Sequence, residues 1–264
     1  MGGRTRSGGA APRSAFFEAS PPRVFAHRGL ATEAPENTLL AFVKALSIGA
    51  THIETDVHAS RDGVAVISHD PDLTRLAGRE AAVSDFTMAE LREIDLGAGQ
   101  TFCSLAEALD GFPETFFNID IKSADAVGPA VDAILAARAT GRVLVTSFGD
   151  ARRRAAVRRL PGVATSASAR PFLTALVAAK LGLSPVVRRA LRSVDAVQVP
   201  MKALGIAVTS RRMIRAFHAA GVEVHVWTIN EPSTMRDLLS RGVDGIVTDR
   251  ADLAVPVVAE FAKH

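Results

Sequence analysis

Apolar residues along this chain fall into short runs, separated by longer stretches in which they recur at helical spacing. The runs near 24–26, 52–57, 116–121, 143–146, 163–165, 196–199, 223–228 and 245–248 predict strands, and 64–67 predicts an extra strand within the second connection. Between most of them lie amphipathic helical patterns. Asn37-Thr38 precedes Leu39, Phe42, Val43 and Leu46, a polar cap ahead of an apolar stripe. Stretches 211–220 and 232–241 end at Gly221 and Gly242, residues suited to a left-handed helix stop. Strand–helix alternation with no break in composition predicts an α/β fold, a TIM (β/α)8 barrel. An open, doubly wound sheet has the same periodicity and stays open at this point. In a barrel, functional side chains belong where strands end, and His27, Asp56, Lys122 and Trp227 all fall there.

Composition narrows the picture. The chain has 264 residues, 48% of them hydrophobic, enough for one large core. Residues 1–22 are rich in Gly, Ala, Ser, Pro and Arg and lack the apolar centre of a secretory signal, so they read as a flexible leader to a domain spanning 23–264. No segment has the roughly 20 uninterrupted apolar residues that span a bilayer, and the expected location is the cytoplasm. The single cysteine, Cys103, excludes an intrachain disulfide and reads as a small buried residue. A net charge of +3 suits an anionic small molecule. With no basic stripe and interleaved aromatics, it does not indicate nucleic acid.

The candidate chemistry lies in or at the ends of four strands. His27-Arg28-Gly29 closes the first, His69-Asp70 closes the extra strand, and Glu54-Thr55-Asp56 lies in the second. Strand alternation places Glu54 and Asp56 on one face, and likewise Asn118, Asp120 and Lys122. Glu54, Asp56 and Asp120 together form an all-oxygen shell, suited to Mg²⁺ or Ca²⁺ better than zinc. Arg28 and Lys122 could hold an anion against that metal. His27 and His69 have the intrinsic pKa to exchange protons near neutrality. Each piece alone has a plain structural reading, a packed histidine or a salt-bridged acid. Their co-occurrence points to chemistry on a phosphodiester, because a barrel core does not bury uncompensated charge at three strand ends.

The motif series makes the resemblance specific. His27-Arg28-Gly29, Pro35-Glu36-Asn37-Thr38, Glu54-Thr55-Asp56, Asp62-Gly63 and His69-Asp70 occur in that order. Leu73-Thr74-Arg75, Ser104-Leu105-Ala106-Glu107, Asp120-Ile121-Lys122, Trp227-Thr228-Ile229-Asn230 and Gly242-Val243-Asp244-Gly245 follow. Over about residues 24–252 this resembles the glycerophosphodiester phosphodiesterase family. The resemblance implies a TIM barrel with a small insertion after the second strand, here within about 60–112. It implies metal-dependent hydrolysis of glycerophosphodiesters to glycerol 3-phosphate and an alcohol. By position it makes Glu54, Asp56 and Asp120 metal ligands and His27 and His69 the general acid and base. It also makes Arg28 and Lys122 phosphate contacts, and sets Trp227 along the glycerol or leaving group. Which histidine gives and which takes the proton stays open, as does the nucleophile, water or a glycerol hydroxyl. One departure is visible: the family often has glutamate where this chain has Asp120, although either acid supplies hard oxygen.

Other groups carry less. His52 lies at the start of its strand, away from the expected active end, and His58 alternates onto the same face. Arg152–Arg154 with Arg158 and Arg159 read as a solvated helix face. The stretch 166–193 follows the family pattern least. It reads either as an ordinary βα connection or as an apolar lid making weak membrane-surface contact, which would shift the substrate towards lysophospholipids. A non-catalytic barrel binding phosphate ligands is a third class, disfavoured by the intact histidine pair. The leaving alcohol, the choice of Mg²⁺ or Ca²⁺ and the oligomeric state are not written in the sequence.

Overall fold

Eight parallel strands close into a barrel: β1 (Arg23–His27), β2 (His52–Ala59), β3 (Phe116–Ile121), β4 (Val143–Thr146), β5 (Ala164–Thr165), β6 (Ala196–Val199), β7 (Glu223–Val226) and β8 (Gly245–Thr248). The structure is a computed structural model and describes residues 14–18 and 20–261. Each strand pairs with its sequence neighbour, and β8 returns to β1 through Arg23–Gly245, Val24–Ile246, Phe25–Val247 and Ala26–Thr248. The seam between β5 and β6 is a single bridge, Ser166 to Ala196. The β8–β1 ladder and the Ser166–Ala196 bridge together close the sheet on itself and rule out the open-sheet alternative, so the fold is the expected (β/α)8 barrel. The seventh strand stops at Val226, two residues short of the expected end.

The connecting helices form where the pattern places them. Thr38 caps the helix Leu39–Ser47, its Oγ1 accepting from the Ala41 N–H at 3.3 Å. The helices Arg211–His218 and Pro232–Ser240 finish just before Gly221 and Gly242, both at positive φ. The outward faces of the strands pack against these helices: Ile53, Val57, Phe117, Ile119, Val197, Val224 and Ile246 share one core with Phe42, Ala130, Leu176, Phe217 and Leu238.

The inward faces change character along the barrel axis, and this positions the site. Strand register sets Phe25, His52 and Phe116 side by side near the base. The next row up is His27, Glu54, Asn118 and Leu144. Above it lie Asp56, Asp120 and Thr146. Aromatic rings plug the bottom of the lumen and charged groups line the top, as expected where barrel sites sit at the C-terminal ends of strands. Gly245 makes room for the plug: a Cβ there would lie 2.7 Å from the Phe25 ring and 2.8 Å from His225.

Between β2 and β3 the chain makes its expected insertion. The short strand Ala65–Ile67 runs antiparallel to β2 and carries His69 just beyond its end. The insertion has its own small core of Val66, Leu73, Val83, Met88, Leu91, Ile94 and Phe102.

The expected flexible leader, 1–22, needs correction where it is described. Residues 1–13 and 19 lie outside the described residues. Ala15–Phe17 forms a 3₁₀ turn, and Phe16 and Phe17 are 0% and 6% exposed. The Phe16 ring meets Phe25, His52 and Phe116 with centroids 5.2 to 6.3 Å apart, so this part of the segment belongs to the barrel's bottom plug. Two phenylalanines in a row of small residues were the signal.

Candidate active site

A tight turn starts the site. Arg28 and Gly29 follow β1 in left-handed conformations, with φ of 57° and 85°. The turn brings the Arg28 N–H to the Glu54 carbonyl at 2.8 Å and the Gly29 backbone against the Leu39–Ser47 helix. It aims His27 and Arg28 into a cavity of 410 Å³ at the C-terminal rim. All eight residues singled out from the sequence line that cavity: His27, Arg28, Glu54, Asp56, His69, Asp120, Lys122 and Trp227.

Both histidines are held by a carboxylate at Nδ1. His27 Nδ1 lies 2.6 Å from Asp249 Oδ1, and His69 Nδ1 lies 2.7 Å from Asp70 Oδ1. A carboxylate can only accept, so the Nδ1 proton is fixed there and Nε2 is the free nitrogen in each neutral ring. His27 Nε2 lies 3.8 Å from Glu54 Oε2. Burial alone would lower the His27 pKa, but the Asp249 bond and the Glu54 charge outweigh it and raise it. The His27 bond holds Asp249 below the usual carboxylate range. Asn230 steadies that acid, donating to Asp249 Oδ2 at 2.8 Å and accepting from the Asp249 N–H at 3.0 Å.

A chain of ion pairs links the two histidines' sides. Asp70 accepts from Arg75 at 2.6 Å, and Arg75 donates to Glu36 at 2.6 Å. Glu36 also accepts from Arg28 at 2.9 Å, and Arg28 Nε lies 3.3 Å from Asp56. Lys122 Nζ then sits between Asp56 and Asp120, at 2.8 and 2.7 Å. Asn37, buried and at φ 57°, donates to Asp56 and accepts from Thr55 at 2.8 Å.

The carboxylates are close but do not form a closed cage, and among the described residues no three His, Cys, Asp or Glu side chains converge as one. Lys122 takes up the charge of two of them. Yet Glu54 Oε2, Asp120 Oδ1 and Asn118 Oδ1 are buried acceptors with no hydrogen-bond partner among the described residues. Such orphaned oxygens are costly unless a cation or a proton reaches them. Burial, then the Asp56 charge, pushes the Glu54 carboxyl up to about 8, and burial raises Asp120 as well. Three hard oxygens without donors, beside Asp56, are a donor set that fits Mg²⁺ or Ca²⁺.

The opposite wall is apolar. Phe148, Phe172, Leu173 and Pro200 line it with Trp227, whose ring meets Phe148 edge-on at 6.4 Å. Phe172 and Leu173 come from the helix Ala169–Lys180, whose orientation over the rim no local pattern announces. The arginine run is also reassigned. Arg153 is 2% exposed and bonds Ser168 and Asp150, while Arg152 reaches Ser147 at 3.0 Å and its charge acts on Asp120. Only part of that run is the solvated face expected. His52 lies in the bottom plug, away from the site, and His58 lines a neighbouring cavity of 870 Å³ that shares His69 and Lys122 with the first. Asp249 went unassigned in the sequence, although it follows β8 as His27 ends β1, and the register partners are adjacent.

A (β/α)8 barrel with paired imidazoles, paired cations and a carboxylate cluster at one rim defines a class of barrel proteins built to handle an anionic ester. Within that class, the chain belongs to the glycerophosphoryl diester phosphodiesterase family, whose pattern matches residues 27–253. It is 43% identical over 249 residues to "Probable glycerophosphodiester phosphodiesterase 2" of Mycobacterium tuberculosis, covering 94% of each chain. Among solved structures it is similar to a glycerophosphodiester phosphodiesterase from Thermotoga maritima, with 29% identity and a TM-score of 0.69 over 89% of this chain and 97% of that one. It is similar also to one from Agrobacterium tumefaciens, with 25% identity and a TM-score of 0.72 over 89% and 99%.

Proposed function

We propose that this protein hydrolyses glycerophosphodiesters to glycerol 3-phosphate and an alcohol, using a divalent cation, Mg²⁺ or Ca²⁺, and two histidines. Membership of the family supports the reaction. The observation that carries the chemistry is the meeting of two acid-anchored imidazoles with Arg28, Lys122 and orphaned carboxylate oxygens around one cavity.

Glu54, Asp56 and Asp120 would hold the cation. When bound, it neutralises charge on the phosphoryl oxygens. Arg28 and Lys122 bind the phosphate, the first as a planar fork and the second as a compact charge. Each is already held by neighbouring carboxylates, Arg28 by Glu36 and Asp56 and Lys122 by Asp56 and Asp120, so little ordering is left to be done on binding. Neutral His27 takes the nucleophile's proton at Nε2, and His69, entering protonated on both nitrogens, gives its Nε2 proton to the leaving alkoxide. Asp249 and Asp70 hold the opposite nitrogens, the first stabilising the imidazolium that forms on His27 and the second the one from which His69 donates. Trp227 packs along the glycerol or the leaving group and keeps water from that side.

The apolar wall favours a second reading, in which the leaving group or the glycerol bears an alkyl chain and lysophospholipids are substrates. One experiment tests both. Release of glycerol 3-phosphate from a panel of soluble glycerophosphodiesters is measured beside choline release from lysophosphatidylcholine. Mg²⁺, Ca²⁺ or EDTA is added, and His27→Ala serves as a control. EDTA-sensitive release that falls about 10²–10⁴-fold in the variant is the expected result. Choline release alone would select the lipid reading. Silence on every substrate and metal would leave a barrel that only binds phosphate ligands.

A further inference from the structure

Charge is unevenly spread along this chain. Residues 151–222 hold 14 of the 31 Lys and Arg but only one of the 28 Asp and Glu, Asp195. That aspartate, just ahead of β6, accepts from the Thr165 N–H of β5 at 2.9 Å. The small overall charge therefore hides a strongly basic sector on an otherwise acidic protein.

Exposed apolar side chains collect in the same sector. Among the described residues, nine large hydrophobic side chains are exposed. Seven of them lie on segments following β4, β5 and β6: Phe148, Val177, Leu181, Leu183, Val186, Met201 and Leu204. Leu181 and Leu204 are 66% and 68% exposed. Scattered exposed leucines need no account, but a cluster confined to one side of a cavity mouth does.

Hydrogen bonds place these segments together at the rim. The Ala169 N–H, at the start of the helix Ala169–Lys180, donates to the Phe148 carbonyl at 3.3 Å. At its other end the Lys180 carbonyl accepts from Arg212 at 3.1 Å. Arg212 lies in the first turn of the helix Arg211–His218, just past the rim hairpin of Lys202–Ala203 with Ile206–Ala207. Tethered at both ends, the helix lies along the rim. Its buried side supplies Phe172 and Leu173 to the cavity, and its outer side carries Val177. Arg170, Lys180, Lys202 and Arg211 are exposed around it. Among the described residues none of the four has a carboxylate within ion-pair distance.

We propose that this rim, from Phe148 through the Ala169–Lys180 helix to the 202–207 hairpin, seats on an anionic lipid bilayer. Its leucines enter the headgroup–acyl boundary, and its unpaired cations face lipid phosphates. An apolar face alone would suit many partners. Apolar tips surrounded by cations with no counter-charge fit a surface that is greasy below and negative above. The docked orientation turns the cavity mouth, with its apolar wall, towards the lipid.

The test is flotation of the full chain with phosphatidylcholine vesicles, with and without 30% phosphatidylglycerol. Binding to the anionic vesicles, weakened by 0.5 M salt and at least tenfold stronger than to neutral ones, is expected. The Leu181→Asp/Leu204→Asp variant is expected to lose about tenfold or more in partitioning, and Lys180→Gln/Lys202→Gln a comparable factor. None of these residues lines the cavity, so turnover of a soluble diester stays unchanged and shows the variants are folded. Equal binding to neutral vesicles, no flotation, or unaltered flotation of both variants would overturn the proposal. So would a concentration-dependent dimer lost in the leucine variant without any flotation, which would assign the face to a second copy. Flotation does not depend on turnover, so it stands or falls apart from the diesterase reading.

Discussion

Asp249 stands beside His27 across the seam that closes the barrel: Ala26 and Thr248 are register partners, and the next residue of each strand's path supplies the 2.6 Å contact between the imidazole and the carboxylate. Closure of the fold and orientation of the His27 imidazole are thus one structural event. Asp249→Asn would keep the shape but offer Nδ1 an amide that can present its donor face, freeing the wrong tautomer. A fall in kcat on the order of 10²-fold with KM little changed is expected in steady-state assays of a soluble diester. A loss appearing only in KM would mean that Asp249 shapes binding and does not position the imidazole for proton transfer.

The orphaned Glu54 and Asp120 oxygens make a second expectation independent of turnover. A cation bound only by the folded state raises stability by about 2.7 kcal/mol at a hundred times its Kd. Thermal melts at pH 7.5 should rise with millimolar Mg²⁺ or Ca²⁺ and return on EDTA addition. Glu54→Gln, which removes a charge but keeps the shape, should lose most of that rise. A melt unmoved by either ion in the parent protein would count against the carboxylate site.

What could be read in advance follows from the range of the forces involved. Glu54, Asp56, Asn118 and Asp120 were legible because strand alternation is local and barrel closure then leaves a single inward side. The histidines were legible because they end strands. The apolar wall was not, since Phe172 and Leu173 reach the cavity only through the lie of one helix over the rim. Arg153 looked like its solvated neighbours, yet a buried partner 15 residues away, Ser168, takes its guanidinium inside. Phe16 and Phe17 lie in a stretch whose composition argues against order, and their two rings anchor its described residues 14–18.

Gly29 offers a check on the turn that aims Arg28. Its φ of +85° is one that L side chains rarely adopt, and a Cβ would lie 2.7 Å from the Ala41 carbonyl carbon. Neither the turn nor the facing helix backbone can yield cheaply. Gly29→Ala should cost roughly 2–5 kcal/mol in urea unfolding, from left-handed strain plus overpacking. Its residual folded fraction should bind phosphate esters more weakly, because Arg28 moves with the turn. A change below about 0.5 kcal/mol would show that the two backbones are not in close contact.

The bottom plug predicts how acid weakens the fold. His52 is enclosed by Phe16, Phe25 and Phe116, its Nδ1 bonds Thr51 at 2.8 Å, and its Nε2 has no partner among the described residues. Burial, assisted by the nearby Arg23 charge, brings its pKa from 6.5 down to about 3. The unfolded chain therefore takes up a proton below pH 6.5 that the folded chain refuses, and stability falls as pH drops from 6.5 towards 3. The slope from this one group is about 1.4 kcal/mol per pH unit. Glu223 is a neighbour that acts lower. Burial would raise its carboxyl, but bonds from His225 and Arg23 bring it down to about 2, so its own contribution is lost only below about pH 4.5. His52→Phe fills the same aromatic slot without a titrating nitrogen. Its urea-unfolding free energy should be close to the parent's at pH 7 and exceed it by about 2 kcal/mol at pH 5. A gap that stays constant between pH 7 and pH 5 would mean that His52 is protonated inside the plug, with a counter-charge the aromatic cage does not supply.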